Sequence, residues 1–258
     1  MITAGFDIGF KNIKTCIVQD SIIIGRDSRP LSGNFKDTLF SSYQAALLEA
    51  NIAWFQIKKT AITGWATVRS PAKIRLTPEH AAAKACFYYN NEILSVVDAG
   101  ALFVNTLTID TSGNPVLIAD NEKCAAGSGK FLEVTAKIIG VNVADISDLA
   151  FSSTRVSKMV SNCAVFAESE VIGKLNSGEN PGDIIASIIS SIALKTNTML
   201  KRITASGPLM VCGGLAKNKY FINKLRTVTD MVLLEYPEDP MYAGAFGAAL
   251  WALDSEKK

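Results

Sequence analysis

The pattern of apolar and polar residues at the beginning of the chain is that of a β-hairpin. Residues 5–18 form two apolar runs, and the sequence Asp7-Ile8-Gly9 lies at the junction between them. Aspartate and glycine favour tight turns, and the pattern therefore predicts two antiparallel strands joined near Gly9. Residues 21–26 are predicted to add a third strand.

The same pattern occurs again near the middle of the chain. Residues 93–110 form two apolar runs around the sequence Asp98-Ala99-Gly100. A repeated strand–turn–strand unit predicts a duplicated domain with a cleft between the copies. The alternative is that Asp-x-Gly is merely a favourable turn sequence. Two copies, each at the end of a strand, favour a functional role.

The remaining elements follow from the spacing of apolar residues. Helices are predicted over residues 34–51, 131–139, 163–175, 181–194 and 242–250, and further strands over residues 59–64 and 208–212. An extension of the fourth helix to residue 203 is left open. The double glycine Gly213-Gly214 ends the last of these strands, and another helix is predicted to begin near Lys217. The final helix is rich in alanine and glycine, which allows close approach of its backbone to a neighbour.

Composition places the chain among well-buried globular proteins. It has 258 residues, of which 48% are hydrophobic and 19% charged, and its net charge is +2. This length can form one large domain or two small ones. No basic stripe with interleaved aromatic residues, no long charge-free run and no signal peptide is found. We therefore expect a cytoplasmic protein with neither a nucleic-acid nor a membrane partner.

The cysteines argue against two common kinds of site. The chain has five cysteines in scattered positions and a single histidine, His80. An odd, scattered set does not fit a disulfide framework in a chain of this size. No pair has the Cys-x-x-Cys spacing, and so one chain cannot build an ordinary zinc site from cysteine and histidine alone.

The most informative segment is residues 121–133, with the sequence NEKCAAGSGKFLE. Small residues follow Cys124 and allow several N–H groups to point one way, and a helix beginning near Ser128 would direct its positive end toward the same place. This setting suits an anion, either phosphate or a thiolate-ligated metal cluster. It is not a Walker A loop, because Cys124 replaces the first glycine and Phe131 replaces the final hydroxyl residue.

A second cysteine occupies a similar position. Cys163 follows serine and asparagine in the sequence SNCAVFAESEVIGKL, and these are the residue types that commonly cap a helix. Cys163 is therefore also predicted to lie at the start of a helix. For Cys16, Cys86 and Cys212, which lie within apolar runs, burial in the core as free thiols is the favoured interpretation.

The layout of the turns resembles that of the actin/Hsp70/sugar-kinase ATPases. The features that carry this resemblance are the two Asp-x-Gly turns, the strand ending at Gly213-Gly214 and the small residues of the final helix. The resemblance implies an α/β, two-lobed ASKHA fold with duplicated ribonuclease-H-like domains. The first domain would comprise residues 1–93 and 240–258, and the second, residues 94–239, would carry Cys124 and Cys163.

Three segments narrow the resemblance further. The sequences NEKCAAGSGKFLE, NCAVFAESEVIGKL and VCGGLAKNKYF resemble those of the activator ATPases (component A) of 2-hydroxyacyl-CoA dehydratases and the ATPase subunits of benzoyl-CoA reductases. This family implies a [4Fe–4S] cluster shared between two subunits, with Cys124 and Cys163 as the ligands from each. A cubane cluster bound by four cysteines fits two thiols per chain in a two-fold dimer.

The resemblance also implies a nucleotide site for ATP or ADP with Mg²⁺. The catalytic residues would be Asp7 and Asp98. The nucleotide-binding residues would be Gly9, Lys11, Lys14, Gly100, Gly127, Gly129, Gly213, Gly214 and Lys217. The implied activity is ATP-dependent transfer of one electron to a partner iron–sulfur dehydratase or reductase, with reduced ferredoxin or flavodoxin as donor. The implied assembly is a homodimer, or a heterodimer with a paralogue.

The phosphate loops depart from the family pattern. Residues 10–13 replace the hydroxyl residues of the first loop, and Ala101-Leu102-Phe103 replaces the polar end of the second. Lys11 either substitutes for lost phosphate contacts or is simply a surface lysine in a turn. The departures leave an alternative, a non-hydrolysing iron–sulfur carrier or regulatory subunit. A sugar or acyl kinase of the same fold is a third hypothesis, which leaves both cysteine segments unexplained.

Overall fold

The described part of the chain folds around two five-stranded mixed sheets. The computed structural model describes residues 1–31, 34–65, 72, 74–121, 128–155 and 164–255, with the backbone alone for residues 164–166. The first sheet contains β1 (Ile2–Ile8), β2 (Asn12–Gln19), β3 (Ile22–Pro30), β4 (Lys59–Gly64) and β5 (Ile74–Arg75). The second contains β6 (Ser95–Ala99), β7 (Val104–Ile109), β8 (Pro115–Asp120), β9 (Leu209–Cys212) and β10 (Leu233–Leu234).

The two sheets have the same topology. The first has the strand order β3-β2-β1-β4-β5, and the second, read from its opposite edge, has the order β8-β7-β6-β9-β10. In each sheet the first three strands are antiparallel neighbours and the last two continue in parallel. This correspondence confirms the predicted duplication and the two-lobed, actin-like α/β fold.

Helices cover these sheets and connect them. The α-helices in the described ranges are α1 (Phe35–Glu49), α2 (Pro78–Tyr89), α3 (Gly129–Ile139), α4 (Ile146–Phe151), α5 (Ala164–Asn176), α6 (Pro181–Arg202), α7 (Lys219–Val228) and α8 (Ala243–Asp254). Short 3₁₀ turns precede α4, α7 and α8 and follow α1. None of the helices in these ranges is long and apolar enough to cross a membrane.

Both predicted hairpins are present, and each places its Asp-x-Gly sequence at the turn. In the first hairpin Asp7 is the register partner of Lys14, and in the second Asp98 is the register partner of Asn105. Asp7 and Asp98 therefore occupy equivalent positions in the two sheets. β3 forms as predicted but extends to Pro30 because it pairs with β2 along most of its length.

The final helix packs closely on the first sheet, as its small residues predict. A side chain on Gly5 of β1 would collide with the backbone of Ala245 and Ala249 in α8. Gly247 of the same helix lies equally close to the backbone of Ala81 in α2. Small residues at these contacts bring α8 against both β1 and α2.

The sequence pattern did not predict several elements. They are α2, α4, β8 and the two-residue strands β5 and β10. Helix α2 has a nearly continuous buried run of alanines, which lacks the contrast between apolar and polar faces that marks a surface helix. β8 exposes its apolar residues, so the usual alternation is missing. Tertiary packing, not local pattern, determines these elements.

Three cysteines have the predicted structural role. Cys16, Cys86 and Cys212 are fully buried free thiols in one apolar cluster between the two sheets. Burial raises the pKa of the Cys16 thiol. The pKa of the Cys212 thiol is raised chiefly by a hydrogen bond with Cys86 and also by burial. These thiols are therefore inert parts of the core.

Candidate nucleotide site

The first turn holds a carboxylate and an ammonium group together. Lys14 Nζ donates a hydrogen bond of 2.7 Å to Asp7 Oδ2, and the two side chains are only 14% and 17% exposed. The backbone N–H of Gly9 closes the turn by donating to the carbonyl of Asn12 at 3.0 Å. A Cβ on Gly9 would lie 2.8 Å from the backbone carbonyl oxygen of Asn12, and so this close approach requires glycine.

The second turn has the same shape and a different electrostatic environment. The N–H of Gly100 donates to the carbonyl of Phe103 at 2.8 Å. Desolvation, with a smaller contribution from the negative charge of Asp7, raises the pKa of Asp98 to about 7. The register partner of Asp98 is Asn105, and so this hairpin has no cation equivalent to Lys14.

Two glycines border the predicted catalytic carboxylates. A Cβ on Gly213, which has a φ of 88°, would lie 2.7 Å from Asp98 Oδ1. A Cβ on Gly244, in the first turn of α8, would lie 3.0 Å from Asp7 Oδ2. The N-terminus of α8 therefore faces Asp7, where the helix dipole favours its negative charge.

The double glycine provides an open backbone surface. Gly213 is fixed by a hydrogen bond of 2.9 Å from its N–H to the carbonyl of Pro240. Apart from its two neighbours in the chain, no atom of the described residues lies within 4 Å of the position that a Cβ on Gly214 would occupy. A flat group such as an adenine ring can therefore lie against this backbone. Lys217 is in an ion pair with Asp239 at 2.9 Å, beside the same turn.

Helix α3 begins against the second turn. The N–H of Gly129 donates to the carbonyl of Gly100 at 3.2 Å, and the N–H of Lys130 donates to that of Ala101 at 2.7 Å. Ser128 precedes the helix at the N-cap position, as predicted. Residues 128–130, which follow the Cys124 segment, are thus attached to the second Asp-x-Gly turn.

Helix α3 also contacts the first turn. Lys11 Nζ forms an ion pair with Glu133 of α3, and Lys130 Nζ lies 3.5 Å from the other carboxylate oxygen of Glu133. Lys11 was predicted as a nucleotide-binding residue, and its ion pair with Glu133 was not predicted. The pair joins the first hairpin to the helix that follows the Cys124 segment.

A buried aspartate anchors the segment that leads to the second cysteine. Asp183 Oδ1 accepts hydrogen bonds from Ser153 Oγ at 2.7 Å and from the N–H groups of Thr154 and Arg155 at 2.9 and 3.0 Å. The N–H of Arg155 and the Ser153 hydroxyl are the main causes that lower the pKa of Asp183. Asp183 lies in the first turn of α6, which begins at Pro181 as predicted.

Three predicted site residues, Cys124, Gly127 and Cys163, lie outside the described residues. Within the part of the chain that the structure describes, no three or more His, Cys, Asp or Glu residues come together as a group able to hold a metal ion. Helix α5 begins at Ala164, directly after Cys163.

Apolar side chains occupy the positions in the two turns where the family pattern has polar residues. Phe10 is 48% exposed beside the first turn, and Leu102 and Phe103 are half-buried in the second. Neither phenylalanine nor leucine can position water or Mg²⁺. The described turns therefore keep the carboxylates and glycines of a phosphate site without its hydroxyl groups.

Two Asp-x-Gly hairpins at equivalent positions of two matching sheets, together with an open double glycine, define a two-lobed nucleotide-binding protein of the actin-like class. Residues 4–252 match the BadF/BadG/BcrA/BcrD ATPase family. The chain therefore belongs to this family, as its cysteine segments predicted.

Individual relatives match over nearly their whole length. The 2-hydroxyisocaproyl-CoA dehydratase activator of Clostridioides difficile is 30% identical over 260 residues, covering all of this chain and 97% of that protein. A benzoyl-CoA reductase subunit of Thauera aromatica is 28% identical over 268 residues, covering all of this chain and 95% of that protein.

Solved structures agree with the fold. The activator of the 2-hydroxyisocaproyl-CoA dehydratase from Clostridium difficile, solved with bound ADPNP, has a TM-score of 0.92 and 30% identity, and the match covers all of this chain and 96% of that one. A ROK family glucokinase from Streptomyces griseus has a TM-score of 0.59 and 12% identity over 98% of this chain and all of that one. The second likeness concerns the fold alone.

Sequence reasoning missed three residues of the site: Glu133, Asp183 and Gly244. Each acts on a partner more than 20 residues away in the chain. Glu133 lies in the first turn and a half of a predicted helix, where an acidic residue is common and carries no signal of its own. Only the tertiary structure reveals their roles.

Proposed function

We propose that this chain is an ATP-dependent activator that transfers one electron from a [4Fe–4S] cluster, held between two subunits, to a partner iron–sulfur protein. The observation that carries the proposal is the attachment of the start of α3 to the Gly100 turn by two backbone hydrogen bonds. In the proposal, a movement of the Gly100 turn on nucleotide binding moves the start of α3, and with it the segment that contains Cys124.

In the proposal Cys124 and Cys163 hold the cluster. The three other cysteines are buried in the core, and so only these two thiols per chain are left to bind metal. A four-thiolate cluster then needs two chains, related by a two-fold axis. When bound, the cluster supplies one-electron redox chemistry. The positive ends of α3 and α5 stabilise its negative charge.

Nucleotide binds between the two hairpins in the proposal. Asp7 and Asp98 would hold Mg²⁺, and Lys14 orients the Asp7 carboxylate through its hydrogen bond of 2.7 Å. The backbone at Gly213-Gly214 receives the adenosine, and the glycines of the two turns admit the phosphates. Nucleotide then changes the populations of two conformations by binding them with different affinities.

The names of the relatives support a class of partner. One relative is an activator of an acyl-CoA dehydratase and another is part of an acyl-CoA reductase. We infer that this chain acts on a dehydratase or reductase of that class. The proposed electron donor is reduced ferredoxin or flavodoxin, and the proposed assembly is a homodimer, or a heterodimer with a paralogue.

We also propose the domain division made from the sequence, residues 1–93 with 240–258 and residues 94–239. It is supported by the composition of the sheets, since each sheet is built from one continuous part of the chain. The packing of α8 on β1 and β4 supports the assignment of the C-terminal segment to the first domain.

A second function is favoured by the apolar second loop. Because Leu102 and Phe103 replace polar residues, the chain would bind nucleotide weakly and not hydrolyse it. It would then serve as an iron–sulfur carrier or as the regulatory subunit of a heterodimer whose other subunit is the ATPase.

Anaerobic reconstitution tests the cluster. We expect about four irons per dimer, and we expect Cys124→Ala or Cys163→Ala to abolish iron binding. Cys86→Ala is the matched control, because it removes a thiol of the buried core and should leave the iron content unchanged. A protein that binds no iron, or whose iron survives both substitutions, would overturn the cluster assignment.

Phosphate release by the reconstituted protein separates the two functions. Hydrolysis that is lost in Asp7→Asn and Asp98→Asn supports the activator. Binding of ATP without hydrolysis, or no binding, supports the carrier. If the protein binds no iron and transfers phosphate from ATP to a sugar or a carboxylic acid, it is a kinase instead.

A further inference from the structure

The ion pair between Lys11 and Glu133 joins two parts of the molecule that are far apart in sequence. Lys11 lies in the turn between β1 and β2 of the first sheet, and Glu133 lies in α3 beside the second sheet. The contact brings the first phosphate turn to the helix that follows the Cys124 segment. Helix α3 is therefore attached to both turns, through Lys11 to the first and through Gly129 and Lys130 to the second.

The two partners differ in their freedom to move. The Glu133 side chain is only 15% exposed, whereas the Lys11 side chain is 49% exposed and lies at the surface of the turn. Glu133 has a second cation within reach, Lys130 of its own helix, at 3.5 Å. Lys11 can therefore leave Glu133 without stranding a largely buried carboxylate, because Lys130 remains beside it.

Lys11 is also two residues from Gly9, in the turn where the phosphates of a nucleotide are proposed to bind. A lysine has a long flexible stem and can move its ammonium group between nearby anions. A triphosphate carries more negative charge than one carboxylate and presents several acceptor oxygens. It is thus the stronger competitor for a single ammonium group.

We propose that Glu133 is a positioning residue that competes with the nucleotide phosphates for Lys11. When nucleotide binds, Lys11 moves from Glu133 to phosphate, and α3 loses its attachment to the first turn while it keeps its attachment to the second. This inference rests on the proposed nucleotide site and adds to it the contact through which the first sheet acts on α3. Since coupling is reciprocal, the position of α3 also changes the affinity for nucleotide.

Competition predicts effects of opposite sign for the two partners. Glu133→Gln keeps the size of the side chain and removes its charge, which frees Lys11 for phosphate, and we expect the affinity for ATP to rise about 3- to 10-fold. Lys11→Gln removes the ammonium group, and we expect the affinity to fall by a similar factor. In the double variant no ammonium group is left at position 11 to compete for, and the affinity should equal that of Lys11→Gln alone.

Calorimetric titration of the cluster-loaded protein with MgATP measures these affinities. The control is Glu179→Gln, which removes a carboxylate of equal exposure, 15%, that pairs with Lys174 away from both turns. It should leave the affinity unchanged. Thermal unfolding of each variant verifies that the fold is retained.

The outcomes distinguish this inference from the function on which it rests. An unchanged or reduced affinity in Glu133→Gln, with normal binding by the unsubstituted protein, would overturn the competition and leave the activator function intact. Additive effects in the double variant would overturn it as well. Failure of the unsubstituted, cluster-loaded protein to bind MgATP would instead refute the nucleotide site, and the competition with it.

Discussion

Lys14 Nζ lies 2.7 Å from Asp7 Oδ2, and these two residues are register partners across the β1–β2 hairpin. The backbone pairing of β1 with β2 therefore places the two residues side by side and brings their side chains into contact. Both side chains are more than four-fifths buried, so neither can obtain full hydration if the other is removed. The equivalent pair in the second hairpin, Asp98 and Asn105, has no positive charge.

We predict that Lys14→Met destabilises the protein by about 1 to 2 kcal/mol, because it leaves the Asp7 carboxylate without its cation. The double variant with Asp7→Asn should recover most of this loss, since it removes the unpaired charge. Urea unfolding measures both free energies. Arg226→Gln is the control, because its pair with Glu235 is exposed and should contribute less than about 0.5 kcal/mol.

Asp98 should make the stability depend on pH. Its folded-state pKa is raised from 3.8 to about 7, chiefly by desolvation. Between these pH values the folded state binds the proton more tightly than the unfolded state, and so this contribution to stability falls as pH rises from about 4 to about 7. Asp98→Asn stays neutral and should escape this loss.

The measurement is the free energy of unfolding at pH 5 and at pH 8. The unsubstituted protein should lose on the order of 2 kcal/mol more than Asp98→Asn over this interval. Replacement of an exposed carboxylate, Asp230→Asn, should leave the pH profile unchanged. Parallel profiles for the unsubstituted protein and Asp98→Asn would show that Asp98 is ionised throughout.

The two adjacent glycines at the end of β9 should respond differently to alanine. In Gly213→Ala the new Cβ would lie 2.5 Å from the carbonyl of Ala99 and 2.7 Å from Asp98 Oδ1, at a φ of 88°. We expect a loss of roughly 2 to 3 kcal/mol in stability, because the carbonyl of Ala99 cannot move aside and a positive φ is strained for alanine.

Gly214→Ala tests the surface itself. Its Cβ would point into open space, so we expect a change in stability within about 0.5 kcal/mol. If adenosine lies against this backbone, the added methyl group should nevertheless weaken ATP binding. Unfolding and MgATP titration of the two variants separate the effect on the fold from that on the site, and an unchanged affinity in Gly214→Ala would place the adenosine elsewhere.

Local sequence was sufficient for elements whose pattern is set by their own residues. The Asp7 and Asp98 turns, the start of α6 at Pro181 and the small residues of α8 were all predicted because turn chemistry, capping and close packing depend on residue type. Repetition of the turn was enough to predict the duplication of the sheet.

The contacts of the site depend on the tertiary structure. Neither the pairing of Lys11 with Glu133 nor the anchoring by Asp183 has a local signal, since each partner is an ordinary polar residue in its own segment. Helix α2 was missed for a related reason, because a helix buried between other elements has no polar face to set its period.

Asp183 should control the segment that leads to Cys163. Asp183→Ala removes the acceptor of three hydrogen bonds from Ser153, Thr154 and Arg155, and we expect the reconstituted protein to bind less iron while its ATP affinity stays unchanged. These hydrogen bonds lower the pKa of Asp183. Their contribution to stability is therefore fully present above the ordinary pKa of an aspartate and is lost as the pH falls through the lowered pKa. Iron analysis and MgATP titration measure the two effects.

Asp110→Ala is the matched control, because Asp110 accepts two backbone N–H bonds in the β7–β8 turn. Equal iron loss in both variants would indicate general destabilisation and contradict a specific role for Asp183.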